Sequence, residues 1–208
     1  MAKLLDSITL NIPKSISNLQ LPDPELTTYY KDLDNRILWI DDEINEYSLE
    51  YARLILRWND EDKKKKPEKR KPIKLLFFSP GGDLDVNNTL IDVISLSKTP
   101  IWGINMGRCA SAAAFIFLSC HKRFMLPNGY FLFHQGSGTF SGSYLEVCAQ
   151  MQDYQVSVSR LSDLMSTYTN YTVQDIENNI CGEWYVRATE ALEKGVVHEI
   201  VEDISVLI

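Results

Sequence analysis

The segment IKLLFF, residues 73–78, constrains this chain more than any other. An apolar run of strand length suits a central parallel strand, because a strand covered by helices on both faces need not alternate apolar with polar residues. It ends in SPGGD (79–83), a turn signal that feeds a helix over LDVNNTLIDVISLSK. A second strand, PIWGIN (100–105), follows, then GRCA and an apolar helix that starts at Ser111. Strand, helix, strand, helix, strand in that order implies right-handed crossovers and a mostly parallel sheet. The expected class is α/β.

With 208 residues the chain can build one sizeable domain around its own core. RILWI (36–40) reads as a short strand. EINEYSLEYARLILRW reads as an amphipathic helix with Ile44, Tyr47, Tyr51, Leu54, Ile55 and Trp58 on one face. In NDEDKKKKPEKRKP the lysines are offset by Asp60, Glu61, Asp62 and Glu68, the pattern of a solvated loop. KRFMLPNGYFLFHQ (122–135) reads as two short strands joined by a Pro-Asn-Gly turn.

The longest helical pattern spans 143–168, where Tyr144, Cys148, Met151, Tyr154, Val158, Leu161, Met165 and Tyr168 recur at steps of three or four. Such a helix is roughly 39 Å long at the usual rise, so part of it should project from the core and pack on another subunit. A short helix at TVQDIENNI, a strand at EWYV and a helix at ATEALEKG ending on Gly195 complete the pattern. Residues 1–35, with Pro13, Pro22 and Pro24, read as an extended arm before a single domain over 36–208.

Composition excludes several classes. A formal net charge of −7 argues against a general nucleic-acid binder, which needs a basic face. No apolar run reaches about 18 residues, so no membrane span is expected. MAKLLDSITLNIPKS lacks the apolar core and cleavage site of a signal peptide, and the expected setting is the cytoplasm. Cys109, Cys120, Cys148 and Cys181 show no CxxC spacing, so they read as reduced, mostly buried thiols and no metal site is expected.

In open α/β sheets ligands bind beyond the carboxyl ends of strands. Here those ends carry Ser79-Pro80-Gly81-Gly82, then Gly107 to Ser111, then His134. Glycines let backbone N–H groups approach a ligand closely. Ser111 at a helix start is either a helix N-cap or a nucleophile, and it can be both. With His134 to take its proton, the parts are those of acyl transfer: nucleophile, base and oxyanion donors. His121, in the polar CHK turn, and His198, after GVV, have no nucleophile nearby in sequence.

The ordered set SPGGD, GRCASAAAFIFLSC (107–120), KRFMLPNGYFLFHQ and ATEALEKGVVHEIV resembles the proteolytic subunit of the Clp protease family, over about residues 30–201. The resemblance implies a crotonase-like fold of repeated ββα units and a serine endopeptidase with Ser111 as nucleophile and His134 as general base. It implies Gly82 and Ala112 as oxyanion-hole donors. The helix at 143–168, within a segment of about 136–168, matches the family's handle, which interlocks two heptameric rings of identical subunits. A separate AAA+ ATPase would feed polypeptide into that chamber. ATP would be used only by that partner, and no cofactor or metal would be bound here.

The family usually places aspartate five residues before the alanine of its Ala-x-Glu-Ala segment; counting from Ala188, Glu183 stands there. Ser-His-Glu triads exist on other folds, so Glu183 is the expected third member, with Asp175 and Glu177 as fallbacks. Gly182 and Trp184 replace the charged neighbours usual in the family's contact between rings, and Gly136-Ser137-Gly138 replaces a common proline after His134-Gln135. Two other readings stay open. One is an inactive Clp-like scaffold or mixed-ring subunit; the other is a crotonase-type acyl-CoA enzyme, which would leave the serine–histidine pair unexplained.

Overall fold

The computed structural model describes residues 24–207. Helix α1 (Pro24–Asp34) leads into strand β1 (Ile37–Ile40), α2 (Leu49–Asp62), β2 (Ile73–Ser79), α3 (Leu84–Leu96), β3 (Ile101–Ala110) and α4 (Ala112–Leu118). Strands β4 (Lys122–Met125) and β5 (Tyr130–Phe133) follow, then α5 (Tyr144–Tyr168), α6 (Val173–Asn179), β6 (Trp184–Arg187), α7 (Ala188–Glu193) and β7 (Glu199–Ile200). The part of the expected arm before residue 24 lies outside the described residues. Its remainder is not extended: residues 24–34 are helical, with Pro24 at the helix start, where its missing N–H is harmless, and none of them is buried.

The sheet runs β1-β2-β3-β4-β7, and the pairs along that path are parallel. Alternation along β2 and β3 sends Leu75, Phe77 and Ile101 into the main core and Leu76, Ile104 and Trp102 into a smaller cluster on the other face. Helix α4 is buried along its whole length, with Phe115 and Phe117 almost fully enclosed. Each of those rings contributes about 2 kcal/mol through burial. The helix can lie so close to the sheet because Gly103 has no side chain; a Cβ there would stand 2.9 Å from Cys120 Sγ and 3.0 Å from the Phe117 ring.

Strands β4 and β5 do not pair with each other. Both run parallel to β3, with β4 on residues 102–105 and β5 on residues 108–110. Asn105, fully buried, bridges the interruption: its side chain donates to Tyr130 O at 2.9 Å and accepts from Gly107 N–H at 2.9 Å, and its carbonyl accepts from Leu126 N–H. Strand β5 then pairs antiparallel with β6.

Three further features anchor the frame. The second half of α5 packs on the core through Leu161 and Met165, while Tyr144, Leu145, Met151 and Val156 on the first half are exposed. The Arg123 guanidinium donates to the carbonyls of Leu118, Cys120, Tyr168, Gly195 and Val196, at the C-terminal ends of α4, α5 and α7, where cations are favoured. The charged run 59–72, expected to be a solvated loop, begins inside α2 and hides one carboxylate: Asp62, the last residue of α2, has no exposed surface and accepts from Arg36, Lys65 and Thr99. Burial alone would raise the Asp62 carboxyl, but those hydrogen bonds and the Arg36 charge outweigh it and hold it well below the usual carboxylate range. Gly195 adopts φ +70° just past α7, as its position at a helix end predicts.

Candidate active site

Strand β3 ends at Ala110 and α4 begins at Ala112, leaving Ser111 at the bend. Its backbone is strained, with φ 52° and ψ −129°, a region that glycine favours. Such strain costs about 1–3 kcal/mol and persists only where the surroundings enforce it. Here Ser111 N–H donates to Leu132 O at 2.7 Å and Ser111 O accepts from Ala114 N–H at 2.9 Å. The hydroxyl caps nothing: no hydrogen bond runs from it to the helix backbone. It stands 2.7 Å from His134 Nε2 instead.

The turn after β2 is held from two sides. Ser79 Oγ donates to Asp42 O and accepts from Gly81 N–H. Ile44 N–H donates to Gly81 O, and Asp83 N–H donates to Ile44 O. Because the peptide unit is planar, holding Gly81 O toward Ile44 turns Gly82 N–H the opposite way. Glycine is needed at both positions. A Cβ on Gly81 would sit 2.5 Å from Ser111 Cβ, and one on Gly82 would sit 2.1 Å from Ile44 O. Gly82 N–H and Ala112 N–H, the latter in the first turn of α4, make no hydrogen bond among the described residues.

Gly82, Ser111, Ala112 and His134 line one cleft of about 330 Å³. Phe115, Leu161 and Tyr154 line it as well, and the Tyr154 hydroxyl donates to Gln135 O at 3.1 Å. A larger groove of about 730 Å³ between α1, β1 and α2 contains none of these groups.

The acid is placed differently from the pair. Glu183 is exposed, accepts from the Tyr185 hydroxyl at 2.9 Å, and makes no hydrogen bond to His134. The fallback carboxylates do not reach the imidazole either. Asp175 caps α6 at Thr172, and no side-chain bond of Glu177 to His134 exists among the described residues. The other two histidines are structural. His121 Nδ1 accepts from Ile101 N–H and His198 Nδ1 accepts from Arg123 N–H, and each returns its own N–H to the same residue's carbonyl. Cys109 and Cys120 are buried, Cys148 is half-buried and Cys181 is exposed. Burial pushes the Cys120 thiol up to about 12.

Sequence reasoning missed Asn105 and Ser79, which fix β5 and the glycine turn. One signal was available for Asn105: it is the one polar side chain in PIWGIN. Among the described residues no group of three His, Cys, Asp or Glu could hold a metal ion, and no helix is long and apolar enough to cross a membrane.

The chain is similar to known proteins in sequence and in fold. The Clp protease family model matches residues 24–203. The ATP-dependent Clp protease proteolytic subunit 2 of Treponema pallidum is 31% identical over 134 residues, covering 64% of this chain and 67% of the relative. Subunit 3 of Rhizobium meliloti is 33% identical over 135 residues, covering 64% and 69%. An Asn-to-Asp mutant of ClpP1 from Listeria monocytogenes superposes with TM-score 0.73 at 25% identity, covering 87% of this chain and 99% of that one. The family match spans the glycine turn, the strained serine, the histidine strand and the long helix together, and so this chain belongs to the Clp protease family and has the fold of its proteolytic subunits.

Proposed function

We propose that this chain is a serine endopeptidase subunit whose working group is Ser111 with His134. The observation that carries the reading is the 2.7 Å contact between Ser111 Oγ and His134 Nε2 in a cleft shared with two unused backbone N–H groups. His134 Nε2 takes the hydroxyl proton as Ser111 Oγ attacks a peptide carbonyl. Gly82 and Ala112 N–H groups receive the oxyanion. The imidazolium then protonates the leaving amine, and water hydrolyses the acyl-enzyme with His134 again as base. Glu183 turns from Tyr185 to His134 Nδ1 to orient the ring in this scheme. The reaction so written draws on no metal or bound cofactor.

The family setting extends the proposal to assembly. Exposed Tyr144, Leu145, Met151 and Val156 on α5 supply an apolar surface for another subunit, in keeping with stacked rings that enclose the clefts. A separate AAA+ ATPase would deliver unfolded polypeptide.

One observation favours a second reading, an inactive scaffold subunit: Glu183 is engaged by Tyr185. A fluorophosphonate probe with peptide mapping separates the two. Label on Ser111 of the assembled protein, absent in Ser111→Ala, is expected. A correctly assembled ring that takes no label would overturn the peptidase reading.

A further inference from the structure

A row of three residues crosses the open face of the sheet beside the catalytic pair. Arg108 in β3 stands opposite Tyr130 in β5, and Tyr130 stands opposite Arg187 in β6. Residues opposite one another share a face of the sheet. Alternation adds Leu132 and His134 to that face on β5, and Tyr185 on β6. Burial agrees: Phe131, Phe133, Trp184 and Val186 fill the core, whereas Tyr185 and Arg187 are exposed.

Both guanidiniums are held by aromatic rings. The Arg187 guanidinium carbon lies 5.0 Å from the centre of the Tyr130 ring, and that of Arg108 lies 5.4 Å from the Phe78 ring. Stacked in this way, an arginine keeps its donors free for a planar acceptor. Neither arginine forms an ion pair among the described residues; the Arg108 Nε is buried and unpaired, so acceptors from outside would meet the terminal nitrogens. In a chain of net charge −7 these are two cations without a salt-bridge partner among those residues, and the carboxylate that alternation places on the same face, Glu183, is held by the Tyr185 hydroxyl.

We propose that Arg108 and Arg187 bind acidic side chains of an extended polypeptide substrate, about four residues from the bond attacked by Ser111. The spacing follows from the strand: Tyr130 precedes His134 by four positions on one face, about 13 Å at the usual rise. The substrate assignment rests on the peptidase reading above.

The test uses two fluorescein-labelled peptides, one with glutamates three to five residues to either side of a cleavable bond and one with glutamines there. Binding to the full-length Ser111→Ala protein is read by anisotropy. The glutamate peptide is expected to bind about fivefold tighter at low salt, an advantage that shrinks in 0.5 M salt, as exposed charges are screened. Arg187→Gln or Arg108→Gln in the same background should bring the ratio of the two affinities close to one. Equal binding of the two peptides, or an advantage that survives both salt and the arginine changes, overturns the site. So does an effect of those changes on oligomer mass alone, which would mark the row as a contact between copies. Fluorophosphonate labelling of wild type runs beside it. A glutamate preference with Ser111 unlabelled overturns the peptidase reading and leaves the arginine site; label without preference does the reverse.

Discussion

Glu183 follows Trp184 backwards along β6 as His134 follows Phe133 along β5, so the antiparallel register, continued by one pair beyond Phe133 and Trp184, sets Glu183 opposite His134. Its carboxylate nevertheless holds the Tyr185 hydroxyl at 2.9 Å. That bond raises the Tyr185 phenol above its ordinary value. In the proposed triad, Tyr185 and His134 compete for one acid. Tyr185→Phe should release Glu183 and speed fluorophosphonate labelling of Ser111 severalfold. Glu183→Gln should slow it by more than about tenfold, since a triad acid sets the tautomer of the base. Equal rates in wild type and both variants would remove Glu183 from the triad.

Asn105 should matter to catalysis without touching the cleft. Its side chain joins Tyr130 O to Gly107 N–H across the break between β4 and β5. Asn105→Ala removes both side-chain hydrogen bonds, and a buried group left unpaired costs about 1–3 kcal/mol. The strand that carries His134 then keeps its ladder to the strand that carries Ser111 but loses the side-chain tie at its start. Urea denaturation should show the lost stability, and labelling of the still-folded fraction should be slower.

The strain at Ser111 predicts an asymmetry between two inactive variants. Both Ser111→Gly and Ser111→Ala remove the hydroxyl, but only glycine adopts φ 52° and ψ −129° at ease. Ser111→Gly should be more stable than Ser111→Ala by about 1 kcal/mol. Thermal melts of the two proteins under one condition decide the matter; equal midpoints would mean that the bend stores no strain.

Acid should weaken the fold through His121 and His198. Each Nδ1 accepts a backbone N–H at the start of a strand, so each must be unprotonated there. Burial lowers both imidazoles below their ordinary value, and Arg123 and Lys122 add to this at His198. A depressed folded value means that stability is present above the ordinary imidazole value, near 6.5, and is lost as pH falls below it toward the folded value. The melting midpoint should fall between pH 7 and pH 5. His198→Asn keeps an acceptor that does not titrate and should flatten that dependence.

Local pattern carried much of the architecture. The apolar run at 73–78 is β2, the turn after it holds the glycines, and the periodicity over 143–168 is α5 almost to the residue. It also carried the chemistry-bearing side chains, since Ser111 and His134 stand at strand ends that adjoin in a parallel sheet. It failed where a side chain's role depends on a distant partner. Asp62 sits in a run of charges that looks solvated, yet Arg36 and Thr99 bury it from elements far along the chain.

The sequence by itself determined which segments become strands and helices and which residues can do chemistry, because periodicity, glycine turns and side-chain functional groups are properties of short stretches. Tertiary structure decided how those parts face one another. It set β4 and β5 on the same edge of β3 through Asn105, turned the Gly82 N–H away from Ile44, and gave the Glu183 carboxylate to Tyr185. Each of these rests on a hydrogen bond, and the choice of partner is made only when the pairing of strands brings the competing groups within reach.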